Sequence, residues 1–145
     1  MAAKVWAIGA GKGGVGKTFV CSSFGITLAK QGQSVLLVDF DLTGANLHTT
    51  LGLPLTERNL RQFFCDKVKL VDLIQGSNVP RLSYIQGYWD SWSFNELEAN
   101  QIVELLEECK KLPYDYILLD LGVGSTKAHL EIFKRTDEKI LVTNT

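Results

Sequence analysis

One octet constrains this chain more than any other feature: Gly11-Lys12-Gly13-Gly14-Val15-Gly16-Lys17-Thr18. It follows a short apolar run over residues 5–8 and precedes a helical pattern that sets Val20, Phe24 and Leu28 on one face and stops at Gly32. The octet fits G-x-x-x-x-G-K-[ST], a loop whose glycines let the backbone curl until several N–H groups point inward at phosphate oxygens. The helix behind such a loop adds its positive N-terminal end. Lys17 is then suited to place its ammonium between β- and γ-phosphates, and the Thr18 hydroxyl to ligate Mg²⁺. A Gly-rich turn that matches by accident would not explain the strand before it and the helix after it. A nucleoside triphosphate with magnesium is therefore the expected ligand, contacted by residues 11–18 and by the backbone of Phe19.

The rest of the chain repeats the alternation of strand and helix. Apolar, β-branched runs at 34–38 and 116–119 end in Asp39 and Asp120, and 140–142 reads as a last strand. Between them, 60–64 and 70–74 read as short helices and 82–85 as a strand. Asn95 and Glu98 form a capping-box pattern, opening a helix with Ile102, Leu105, Leu106 and Cys109 on one face and Pro113 at its end. A further helix is expected near 127–134. Strands apolar throughout, alternating with helices, predict an α/β fold: a mostly parallel sheet covered by helices on both faces. In such sheets ligands bind beyond the carboxyl ends of the strands, where the octet, Asp39 and Asp120 all fall.

Lys12 gives the loop a second lysine, and Lys12 to Thr18 reads K-G-G-V-G-K-T. This resembles the deviant Walker A loop of the MinD/ParA family of P-loop ATPases. The resemblance implies a homodimer with ATP between two subunits, Lys12 reaching the partner's nucleotide and neutralising charge on the transferred phosphoryl group. Leu37-Val38-Asp39-Phe40-Asp41 with Gly44-Ala45-Asn46-Leu47 resembles the family's second acidic motif and first switch. On that match Asp41 orients the attacking water, Asp39 helps hold the magnesium shell, and Asn46 is a switch or dimer-contact residue. Helix capping is the plainer reading of either acid. Ile117-Leu118-Leu119-Asp120 looks like a Walker B strand, which makes Asp120 a metal ligand, direct or through water. Gly122 and Gly124 follow where the family commonly has proline first. That loop looks like the branch related to flagellar-placement regulators (FlhG/FleN-like). Two departures stand out. Phe19 replaces a hydroxyl residue that supports the α-phosphate, and the resemblance covers only the N-terminal part of a family member. Residues 1–145 are thus read as one domain truncated at the C-terminus, with uncovered sheet surface that favours self-association.

The bulk numbers are compatible with this. Apolar residues make up 46% and charged residues 21% of 145, as in globular chains. A net charge of −1 offers no broad positive field for DNA or an anionic membrane. Cysteines at 21, 65 and 109 form no C-x-x-C pair, which argues against a disulfide framework, a structural zinc site and a metal-cluster carrier. Cys65 and Cys109 read as small core residues, Tyr88, Trp89, Trp92 and Phe94 as a staple or core lid, and His48 and His129 as residues without a role. The expected function is a cytoplasmic ATPase switch, peripheral at the membrane in the full-length form, that dimerises to position a flagellum, chromosome or division site under a protein activator. A nucleotide-binding module without turnover is the alternative.

Overall fold

A computed structural model describes residues 2–11, 16–41, 46–87, 97–122 and 127–143. Strand β1 (Lys4–Gly9) leads toward helix α1 (Lys17–Lys30), followed by β2 (Val35–Phe40). Two short helices, α2 (Leu47–Thr50) and α3 (Arg61–Cys65), and a 3₁₀ turn (Leu70–Leu73) come before β3 (Gln75–Gly76) and β4 (Leu82–Ile85). Helix α4 (Ala99–Lys111), β5 (Tyr116–Leu121), α5 (Lys127–Arg135) and β6 (Glu138–Leu141) complete the order.

The described strands form one sheet in the order β3-β4-β2-β5-β1-β6. All pairings are parallel except that of β3 with β4. Alternation along each strand sends side chains to opposite faces. Leu36, Val38 and Phe40 of β2 join Ile117, Leu119 and Leu121 of β5 under α4 and α5. Val35, Leu37 and Leu118 face the other way, toward Cys21 and Ala29 of α1 and Leu47 of α2. Helices on both faces explain why β2 is buried at every position. The α/β architecture expected from the alternation is the one observed.

Helix α1 departs from its expected face. Its buried line is Lys17, Cys21, Ser22, Gly25 and Ala29, while Phe24 is 40% exposed and lies edge-on to Trp6. The cause is close approach to the sheet: a Cβ on Gly25 would lie 2.7 Å from Leu37 Cδ2, so beyond Lys17 only small residues fit that line. The bulkier Ile26 and Leu28 pack along its flanks. Gly32 ends the helix as expected, at φ 92, with its own N–H donating to Ala29 O and the Gln33 N–H to Leu28 O.

Three smaller expectations also shift. The box that opens α4 starts at Glu98, whose side chain and that of Gln101 satisfy each other's backbone N–H; Asn95 lies outside the described residues, as do Tyr88, Trp89, Trp92 and Phe94. Cys109 is buried, but Cys65 is exposed at the end of the five-residue α3. The last strand begins two residues earlier than expected, and Leu141 on this edge strand is 67% exposed.

Candidate P-loop site at the carboxyl ends of the strands

Three strands end side by side. Asp120 on β5 stands in register with Asp39 on β2 and with Ile8 on β1. Just beyond β1, Gly16 takes φ 86 at the start of α1, a left-handed geometry that glycine adopts without strain. Its position puts the first turn of α1, with its unpaired N–H groups, over the ends of the strands. Gly11 is exposed on the other side of the loop. Lys12, Gly13, Gly14 and Val15 lie outside the described residues, as do Gly44, Ala45 and Gly124.

Lys17 leaves this turn inward and is 6% exposed. Its ammonium is ion-paired with Asp120 Oδ1, on a carboxylate with no exposure at all. Thr18 Oγ1 donates to the other oxygen of the same carboxylate at 3.0 Å, and Ser22 Oγ donates back to the Thr18 carbonyl at 2.9 Å. One buried carboxylate thus gathers both side chains of the Lys-Thr pair. Phe19, one residue on, is 70% exposed and turned away from this cluster.

Asp39 Oδ1 accepts from the Asp41 N–H and Oδ2 from the Leu47 N–H, each at 3.2 Å. The second bond serves the first residue of α2, so the capping reading of Asp39 is realised together with its place beside Asp120. Burial, reinforced by the Asp120 charge, pushes the Asp39 carboxyl up to about 7. Burial also raises Asp120, and it outweighs the Lys17 ammonium that works in the opposite direction. Asp41 is partly exposed and rests on Gly122, where a Cβ would sit 3.1 Å from its Oδ1. Asn46 is exposed at the start of α2.

Among the described residues, the carboxylates of Asp39, Asp41 and Asp120 lie close enough for their charges to act on one another, and the Lys17 ammonium pairs with Asp120. That surplus of negative charge suits a divalent cation. No group of three or more His, Cys, Asp or Glu among the described residues is arranged as a metal cage. Magnesium needs none, because it keeps waters and takes phosphate oxygens beside one or two carboxylates. Thr18, Asp39 and Asp120 fit that sparse donor set.

One residue that sequence reasoning set aside belongs here. His129 on α5 is 4% exposed, and its Nε2 lies 2.8 Å from the Gly122 carbonyl. Spacing gave no hint of it. The available signal was its place on the buried stripe of an amphipathic helix, beside Ala128 and Ile132.

A parallel sheet whose first strand runs through a Gly-rich loop into a helix, with acids closing the two strands nearby, defines a P-loop nucleoside triphosphatase fold. The family model described as ParA, NUBPL iron-transfer P-loop NTPase, matches residues 1–145, and the chain belongs to this ParA family. The septum site-determining protein MinD of Bacillus subtilis is 28% identical over 94% of this chain, and a putative MinD of Emiliania huxleyi is 34% identical over 96%. The chain spans about half the length of these relatives, 51% in both cases. MinD of Pyrococcus horikoshii, solved in complex with Mg-ADP, superposes with a TM-score of 0.85 at 31% identity, covering 98% of this chain and 58% of that one.

Proposed function

We propose that this chain is the nucleotide-binding part of an ATPase switch, taking Mg·ATP between the 11–18 loop and the carboxylates that end β2 and β5. The observation that carries the reading is the Lys17–Asp120–Thr18 cluster. Asp120 holds the Lys17 ammonium at the floor of the site, ready for transfer to phosphate oxygens. Thr18 and Asp120 already share a hydrogen bond, so the groups assigned to the metal shell are adjacent before ligand arrives. Asp39 lies next to them in register and completes that shell. Bound magnesium supplies charge neutralisation at the β- and γ-phosphates. Asp41 orients the attacking water, and Lys12 acts across a dimer on the partner's nucleotide. Hydrolysis then resets a dimer that, with a protein activator, positions a flagellum, chromosome or division site from the cytoplasm. The Asp120-x-Gly122-x-Gly124 loop favours the flagellar branch. Mg-ADP bound to the Pyrococcus horikoshii MinD supports adenine as the base.

Among the described residues no helix is long and apolar enough to cross a membrane. The family description also speaks of iron transfer. Here the three cysteines are free and lie on three different helices, and burial pushes the Cys21 and Cys109 thiols up, away from the thiolate a cluster needs.

The test is calorimetric titration with Mg·ATP and Mg·GTP together with single-turnover hydrolysis. Lys17→Ala is expected to weaken Mg·ATP by roughly 10- to 100-fold, the worth of one charged hydrogen bond to phosphate. Lys12→Ala is expected to keep affinity and lose turnover by about 10³-fold, as loss of an arginine finger does. Equal background rates in the parent and Lys12→Ala would leave a nucleotide-binding module without turnover. Undiminished binding by Lys17→Ala would remove the whole reading.

A further inference from the structure

His129 is a buried polar side chain for which the chemistry above has no use. The Gly122 carbonyl can only accept, so the His129 Nε2–H is the donor in their 2.8 Å bond. Burial holds the ring's pKa below its ordinary value, which keeps it neutral near pH 7 with its proton on Nε2. The bond joins the residue that follows β5 to the first turn of α5.

What Gly122 touches gives this bond its meaning. A Cβ at 122 would lie 3.1 Å from Asp41 Oδ1 and 3.5 Å from its Cγ, so the 122 backbone is flush against the Asp41 carboxylate. On another side the same peptide borders a mostly apolar cavity of about 280 Å³, lined by Gly9, Gly11, His129, Leu130 and Phe133 among others. Across that cavity wall the hydrogen bond from His129 is the described contact that ties the Gly122 carbonyl to α5. Lys17 and Thr18, which grip phosphate and metal in the proposed function, sit on α1 and bond to Asp120; the Lys17 charge reaches the His129 ring, but neither side chain bonds to Gly122 or His129.

We propose that His129 is a positioning residue for hydrolysis: it holds the Gly122 peptide against Asp41 and thereby sets the direction in which Asp41 meets the attacking water. This rests on the assignment of Asp41 to that water. Loosening the peptide leaves the phosphate grip intact and misplaces the carboxylate, and small misplacements of a reacting group lower rates steeply. His129 therefore acts on turnover and not on nucleotide affinity.

The experiment compares His129→Leu, His129→Gln, Gly122→Ala and Asp41→Ala in the full-length chain, by Mg·ATP affinity, single-turnover rate and amide hydrogen exchange without nucleotide. Leucine is expected to slow turnover by about tenfold with affinity changed less than about twofold. It should also speed exchange in the peptide that contains residue 122. Glutamine keeps an N–H donor and is expected to recover most of the rate and the protection. Gly122→Ala, which pushes on Asp41 from the same side, is expected to slow turnover without any change at His129, so the inference stays testable should the leucine variant fold poorly. A parent-like rate in His129→Leu, or affinity falling in step with rate, overturns the proposal. If Asp41→Ala abolishes turnover while the leucine variant stays parent-like, only the role of His129 fails. If Asp41→Ala is itself parent-like, the water assignment fails first.

Discussion

Replacing Asp39 with asparagine is expected to stabilise the nucleotide-free protein, and to do so more as the pH rises. The carboxyl is 1% exposed, and burial together with the Asp120 charge moves it from its ordinary 3.8 to about 7 in the folded chain. An acid raised by folding contributes stability that is fully present below 3.8 and is lost as pH climbs through about 7. At about 1.4 kcal/mol per pH unit, the ionised carboxylate costs the folded state up to about 4 kcal/mol above pH 7. Asparagine removes that penalty. Its single carbonyl oxygen can serve only one of the two N–H groups, of Asp41 and Leu47, that the carboxylate now accepts, which returns about 1 kcal/mol. Relaxation of the site trims the remainder, leaving an expected gain of about 2 kcal/mol at pH 8 and little at pH 5. Urea unfolding followed by circular dichroism, in EDTA at both values, measures it. A gain of equal size at pH 5 and pH 8, or a loss at pH 8, would refute the argument that Asp39 is held at the pocket against its own electrostatics. The same substitution is expected to weaken the magnesium dependence of nucleotide binding, the usual exchange of stability against function at a charged site.

Two further outcomes are expected. Gly25→Ala places a methyl group 2.7 Å from Leu37 Cδ2 in a fully buried contact, and the strain is expected to exceed the better helix propensity of alanine, lowering stability by about 1 kcal/mol in thermal or urea melts. An unchanged or raised melting temperature would mean that α1 stands further from the sheet than described. Phe19→Thr restores a hydroxyl behind the phosphate loop and is expected to tighten Mg·ATP by about fivefold, near 1 kcal/mol, in titration calorimetry. Equal or weaker affinity would show that the 70% exposed phenyl ring is not a deficit of the site.

Much of this architecture is legible in the order of residues because the physics behind it is local. Each of the central strands is an apolar run stopped by an acid or a glycine, and a parallel sheet needs that continuity. The octet carries its own geometry in its glycines. Other features depend on neighbours remote in sequence. The buried face of α1 is set by Leu37, so the large residues that catch the eye are not the ones buried. Strand β3 is two residues long and exists through pairing with β4, with no run of its own to betray it. Cys65 resembles Cys109 in type, yet one is the exposed last residue of a short half-buried helix and the other faces the core. At the site, Asp39 and Asp120 announce themselves as strand-end acids, whereas the shared grip of Asp120 on Lys17 and Thr18 needs chain segments about a hundred residues apart to meet.

The alignment of β2 with β5 has a bearing on quality of assembly. Asp39 meets Asp120 only when the two strands are matched residue for residue. A slip of one place would seat Leu119 or Leu121 opposite Asp39 and turn Asp120 toward the wrong layer. The acidic pair is thus a signature of correct strand matching, and a chain assembled out of step would hold its hydrophobic layers badly and lack the anionic pocket altogether.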